Sequence, residues 1–186
     1  MEIRNVIPMW NLLYDSLNHK KELIKNLASQ GNLDCSVFPF PCWVADINYD
    51  VCQWNYSMED LYGYSKNEVM GKNIFDLFIK DDKRIVETAK SLYERMISGK
   101  ISGTYEIAVD EDKDGNDLLL FTVPFSVTQG DEKYFVEMAV DIGKYPLLKD
   151  SIDKRYLRDV RVNHRHEFNT SFYGLMCYLR CQTMRR

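Results

Sequence analysis

His164 and His166 stand two residues apart in "NHRHEFNT", with Glu167 directly after the second and Thr170 four residues beyond it. Imidazole with its ordinary pKa of ~6.5 is largely unprotonated near neutral pH, so an exposed histidine is a competent nucleophile. A carboxylate beside it could take the proton released as a phosphoryl group arrives. With Phe168 at zero on a helical wheel, Phe172, Leu175 and Leu179 all fall within about 40° of it, His166 near ~160° and His164 near ~320°. The two imidazoles then diverge, and a shared metal is disfavoured, because helical metal pairs need a spacing of three or four. Thr170 falls on the face of His166. The bland alternative is that "NHRHEF" is the solvated face of a coiled coil.

Elsewhere the inventory is thin. The remaining histidine is His19, so residues 36–142 contain none. No Ser/His/Asp order, paired-acid motif or metal cluster supports an independent enzyme class. A Gly-rich phosphate loop and an Asp-x-Gly-x-Gly loop are both missing, so the sequence offers no motif for binding ATP. The five cysteines Cys35, Cys42, Cys52, Cys177 and Cys181 are irregularly spaced and read as cytosolic thiols. A formal charge of −4 argues against nucleic acid as a partner. No apolar run approaches the ~20 residues of a membrane span, and the N-terminus lacks a signal pattern. Met1 reads as a natural start, and a cytoplasmic location is expected.

The elements that must position these groups fall into three parts: 1–35, 36–143 and 144–186. In the first, Trp10, Leu13, Leu17, Ile24 and Leu27 form one apolar stripe, with Lys20, Lys21 and Lys25 elsewhere, ended by Gly31 and Asn32. In the second, "CWVADINYDVCQW" reads as two short strands around the turn Asn48–Asp50. Short helical turns follow, with Ser57 and Ser65 as caps, each three residues before an acid. A longer helix carries Ile85, Ala89, Leu92 and Met96 on one stripe, and three strands close the part. That order predicts an α+β fold with helices on one face of a five-stranded antiparallel sheet. The third part contains no proline after Pro146 and reads as one helix of up to ~40 residues from Leu147, a length that suggests a coiled coil.

The second part resembles the PAS sensor family over about 100 residues. "VADINYDVCQWN" looks like the family's opening hairpin, and "LYGYSKNEVMGKNIFDLFIKDD" like its Gly-Tyr-Ser…Glu…Gly segment leading to an Asp-containing loop. "DKDGN" is similar to its hairpin turn. "AVDIG" is similar to its terminal Asp-Ile-Thr, with Asp141 at the signal exit and Gly143 in place of threonine. The resemblance implies a pocket between sheet and helices, for which Trp54, Phe75, Phe78, Leu92, Met96, Phe121 and Phe135 are the inward candidates. Bulky aromatics more often fill a core than line a cavity, so a self-filled pocket with no cofactor is the first expectation, for Tyr93 as for Trp54. Haem is disfavoured because no histidine lies in 36–142. A covalent flavin adduct is disfavoured because Ile74 stands where such members carry a reactive cysteine. Non-covalent flavin or a small metabolite stays open.

The third part resembles the H-box, the first dimerisation and phosphotransfer helix of sensor histidine kinases, in "HEFNTSF" followed by Leu175 and "CYL". That likeness implies His166 as phospho-acceptor, Glu167 as the assisting acid and Thr170 as the residue that orients water for dephosphorylation. Asn169 stands in place of the common basic residue and Ser171 in place of the helix-bending proline. It further implies the sensing region of a two-component kinase, a homodimer through its N- and C-terminal helices. Its partners would be an ATP-binding kinase domain and a response regulator. The alternatives are a stand-alone PAS regulatory module with a vestigial H-box, or a non-covalent small-ligand sensor.

Overall fold

The computed structural model of the chain describes residues 6–78 and 83–152. Strands Cys42–Ala45 (β1) and Val51–Trp54 (β2) pair antiparallel through a turn closed by Asp46, whose Oδ1 accepts from Asn48 N at 2.8 Å and Asp50 N at 3.0 Å. Tyr49 takes φ 70° in this turn, a conformation that costs a side-chain-bearing residue about 1 kcal/mol. Its ring recovers contact by stacking on Phe135 at 5.2 Å.

Four helices follow: Tyr56–Tyr62 (α2), Lys66–Val69 (α3), Ile74–Phe78 (α4) and Lys83–Ile97 (α5). Helix α2 is capped by Asn55, whose Oδ1 accepts from Met58 N at 3.0 Å, so the expected cap at Ser57 is misplaced by two residues. Asn55 won because its amide is also wanted elsewhere: Nδ2 donates to the carbonyls of Phe40 (2.7 Å), Cys35 and Phe38 (both 3.2 Å). The expected box at Ser65 is present, with Glu68 accepting from Ser65 N and Oγ at 2.8 Å.

Strands Glu106–Glu111 (β3), Asp117–Gln129 (β4) and Glu132–Asp141 (β5) complete an antiparallel sheet of order β2-β1-β5-β4-β3. The β3–β4 turn repeats the first turn's device, Asp112 Oδ1 accepting from Asp114 N and Asn116 N, with Gly115 at φ 81°.

Side chains alternate across a strand, so the sheet has two buried faces. Val6–Ser29 (α1) covers one, where Trp10, Leu17 and Ile24 pack on Phe121, Val123 and Phe125 of β4. Lys21, expected among the solvated basic residues, is 6% exposed instead. Its ammonium donates to Tyr105 Oη at 3.0 Å and its stem covers apolar surface. The short helices and α5 cover the other face, where Trp43, Trp54, Met58, Tyr62 and Phe75 meet Leu120 and Phe135.

After the turn Ile142–Lys144, helix Pro146–Ser151 (α6) tucks back against α1: Trp10 Nε1 donates to Ser151 Oγ at 3.1 Å. A single rod starting at Leu147 is therefore not formed. Helix α6 ends at Ser151, and Ile152 is extended (φ −83°, ψ 119°) with its side chain buried in the α1 core, because that core offers Ile152 more apolar contact than a helix running into water. The expected coiled coil beyond it lies outside the described residues.

Candidate functional site

The candidate site lies between the helix-facing side of the sheet and helices α2 and α5. Strand parity decides its floor. Glu106 pairs with Thr122, and Thr122 with Ala139, forming one row; Pro124 pairs with Glu137 and Glu137 with Trp43, forming the next. Leu120 and Phe135 belong to this face, so Thr122 and Glu137, two residues on from each, point the same way.

Two aromatic groups wall the site. Trp54 and Tyr62 have ring centroids 5.9 Å apart, and the Trp54 indole donates to Tyr64 O at 3.1 Å. Tyr62 Oη donates to Asp110 Oδ2 at 2.7 Å, tying α2 to β3. On the other side Tyr93 of α5 packs on Phe135 (4.8 Å), Phe75 and Tyr49 (both 6.0 Å). Ser126 Oγ donates to Met96 O at 2.9 Å and anchors the end of α5.

The electrostatics of this face are unusual for a core. Burial pushes the carboxyl of Glu137 well above the ordinary glutamate range, and the charges of Asp110 and Glu106 push it further, against a hydrogen bond from Trp43. Burial likewise raises Glu106, partly offset by the Thr104 hydroxyl, which donates to Oε1 at 2.7 Å. Tyr62 and Tyr93 are raised as well, first by burial and then by the nearby acids Asp110 and Glu137 respectively.

Of the residues expected to face inward, Trp54, Phe75 and Phe135 do so, and Met96 is buried at the end of α5. Phe121 does not. It lies on the opposite side of the sheet, edge-on to Trp10 at 5.5 Å, because β4 carries apolar residues on both faces and their parity cannot be read from the strand alone. Leu92 is half-buried and stands outside the inner stripe of α5, which runs through Val86, Ala89 and Tyr93. Ile74 is 4% exposed and helps fill this core. Asp141 caps the exit turn, its Oδ1 accepting from Gly143 N at 2.9 Å, with Lys144 at 3.6 Å. A Cβ on residue 143 would stand 2.9 Å from that oxygen, so glycine suits this version of the exit. The side chain of Phe78 and the whole of His164, His166, Glu167 and Thr170 lie outside the described residues.

Sequence reasoning missed Glu106, Thr122 and Glu137. The signal was available in "KYFVEMAV", where an acid interrupts a strand at a position in phase with Phe135. No cluster of His, Cys, Asp or Glu among the described residues could hold a metal ion, and none of the described helices is long and apolar enough to cross a membrane.

Three solved structures are among those similar to the chain. An RNA-binding light-oxygen-voltage receptor is 16% identical at a TM-score of 0.51, covering 68% of this chain and 35% of its own. The PAS domain of an HTR-like protein from Haloarcula marismortui is 18% identical at 0.47, covering 71% of this chain and 99% of its own. The LOV domain of a blue-light activated histidine kinase from Erythrobacter litoralis is 25% identical at 0.46, over 56% of this chain and 97% of its own. No curated protein matches the chain. The family model described as the PAS fold matches residues 14–142, well over half of the sequence, and with the five-stranded sheet and its helical cover this establishes that the chain belongs to the PAS fold family.

Proposed function

We propose that this chain is the sensing and dimerisation region of a two-component histidine kinase, with His166 as phospho-acceptor, Glu167 assisting and Thr170 beside it. The observation that carries the reading is the order of parts: a PAS domain at 14–142, then "HEFNT" at 166–170. A PAS fold is a sensing unit that hosts many outputs, so the output is argued from the histidine and its neighbours rather than from the fold. The protein acts as a homodimer through its terminal helices. Leu12 and Leu23 on α1 are 72% and 50% exposed, and eleven residues apart they share one face of the helix within about 20°. The fold's work is to change how the exit segment after Asp141 packs, and so to bias a two-state element that presents His166.

The test is phosphorylation of the purified chain by a cognate ATP-binding kinase domain. His166→Gln should abolish labelling and His164→Gln should leave it; equal labelling of the two variants rejects the assignment.

One observation favours a second reading, a regulatory PAS module that works by protein contact alone. Helix α6 stops at Ser151 and Ile152 returns to the α1 core, an exit anchored to the domain rather than extended from it. If neither histidine is labelled while the chain still dimerises, this second reading stands.

A further inference from the structure

The outer face of α1 carries a histidine between its two exposed leucines. On a helical wheel Leu12, His19 and Leu23 fall within about 40° of one another, opposite the buried stripe of Trp10, Leu17 and Ile24. With Ser16 they are spaced four, three and four, the seam of a coiled coil on a helix whose other face the sheet already occupies. The His19 ring is fixed in one tautomer: Nδ1 donates to Asp15 O at 2.7 Å, since a carbonyl only accepts, and Nε2 keeps its lone pair for another partner. The charged groups that face it are Asp15 and Glu22, one turn before and one turn after it on α1. Glu22 also meets Lys25 at 3.7 Å, while Lys20 holds its ammonium over the Phe40 ring at 4.7 Å. Among the described residues no other element covers the exposed His19.

This face is complementary to itself in one orientation. Two copies of α1 crossing antiparallel, centred between Leu17 and Asn18, place each Leu12 opposite the partner subunit's Leu23 and each His19 opposite the partner subunit's Ser16. One flank of that pair gathers Asp15 and Glu22 from both subunits, and like charges held together there oppose association. A parallel pair would instead set His19 against the partner's His19. We propose that α1 pairs antiparallel with a second copy of this chain, and that protonation of His19 tightens the pair. Histidine is the side chain whose charge ordinarily changes between about pH 5 and pH 8. When Nε2 gains a proton it becomes a donor, and the new charge lies among the acids of the flank and forms a charge-assisted hydrogen bond to a carboxylate. Symmetry makes that contact twice. Only two leucine layers supply apolar contact, so the pair is weak enough for charge to govern it. The inference rests on the homodimer proposed above and adds its orientation, its central residue and the direction of its response to pH.

The experiment is sedimentation equilibrium of the full chain at about pH 8 and about pH 6, on either side of the imidazole range. The dimer Kd should fall about tenfold on acidification, the combined effect of two partly exposed ion pairs. His19→Gln should keep the weaker value at both pH values, and His19→Arg, always charged, the tighter one. Asp15→Asn with Glu22→Gln should flatten the response from the acid side. His164→Gln with His166→Gln should leave it intact; if that pair abolishes it, the sensor lies elsewhere and the proposal is overturned. A Kd that does not change with pH overturns it, as does a dimer that loosens on acidification, the mark of the parallel pair. A dimer that survives Leu12→Asp with Leu23→Asp keeps the homodimer and rejects this face. A chain that stays monomeric at both pH values loses this inference and the dimer together, while labelling of His166 is read separately and stands or falls by itself.

Discussion

At the scale of single residues, two side chains decide more than their types suggest. Asn55 is 1% exposed and joins the β1–β2 pair, the segment before it and the start of α2 through one amide. Asn55→Ala should cost at least about 2 kcal/mol in urea unfolding, since it loses a cap and leaves buried carbonyls unpaired. Asn55→Asp caps a helix equally well, yet it should also destabilise, because it offers no donor to those carbonyls. If Asp is tolerated, the cap alone matters. Glu137 carries the pH dependence. Its carboxyl is raised in the folded state, so the fold binds more protons than the unfolded chain between the ordinary glutamate pKa and the raised one. The stability it contributes is full below the ordinary glutamate range and is lost as pH rises through the folded value. Urea midpoints measured against pH should therefore fall towards alkaline pH in the wild type and flatten in Glu137→Gln. On Glu68 the sign is opposite: the hydrogen bond from Lys113, with those from Ser65, holds it down to about 2, and its contribution is lost as pH falls. The Ser65–Glu68 box was legible from a three-residue spacing. Glu137 was not, because a single acid within an apolar strand is equally the mark of a solvated face, and only the register with Trp43 and Pro124 shows which side it takes.

Among the elements, α1 shows how far periodicity reaches and where it stops. The stripe through Trp10, Leu17 and Ile24 was plain in the sequence, and all three are fully buried. What the stripe packs against was not, since a helix seam is satisfied equally by a partner chain or by a sheet. Here the sheet takes it, and Phe121, whose place in β4 had suggested the pocket, is the residue that meets Trp10. Trp10→Ala should cost about 3–5 kcal/mol, the usual penalty for emptying a large buried aromatic site. Trp10→Phe keeps most of the apolar contact and loses the hydrogen bond to Ser151. It should raise hydrogen exchange across 146–152 with a smaller change in global stability. The dimer proposed above uses the outer face of α1. Leu12→Asp with Leu23→Asp should shift sedimentation from dimer to monomer without changing the fold, because both side chains already stand in water in the single chain.

For the molecule as a whole, the sheet is a plate with two different sides. One is a sealed apolar core under α1, and the other mixes aromatic walls with acids under α2 and α5. The order of strands and helices was readable because each element alternates or repeats at its own period; the division of labour between the faces was not, because β4 is apolar on both. Among the described residues the first helix and the last also meet, where Trp10 bonds Ser151. That closure makes the domain a cassette. The ends of the 6–152 unit, where Val6 and Ile152 share one core, can be joined by a short Gly-Ser bridge, and new ends opened at the exposed Gly115 hairpin should yield a circular permutant that still folds. In such a permutant the former exit strand sits in mid-chain, where strain on either flank is transmitted to it directly.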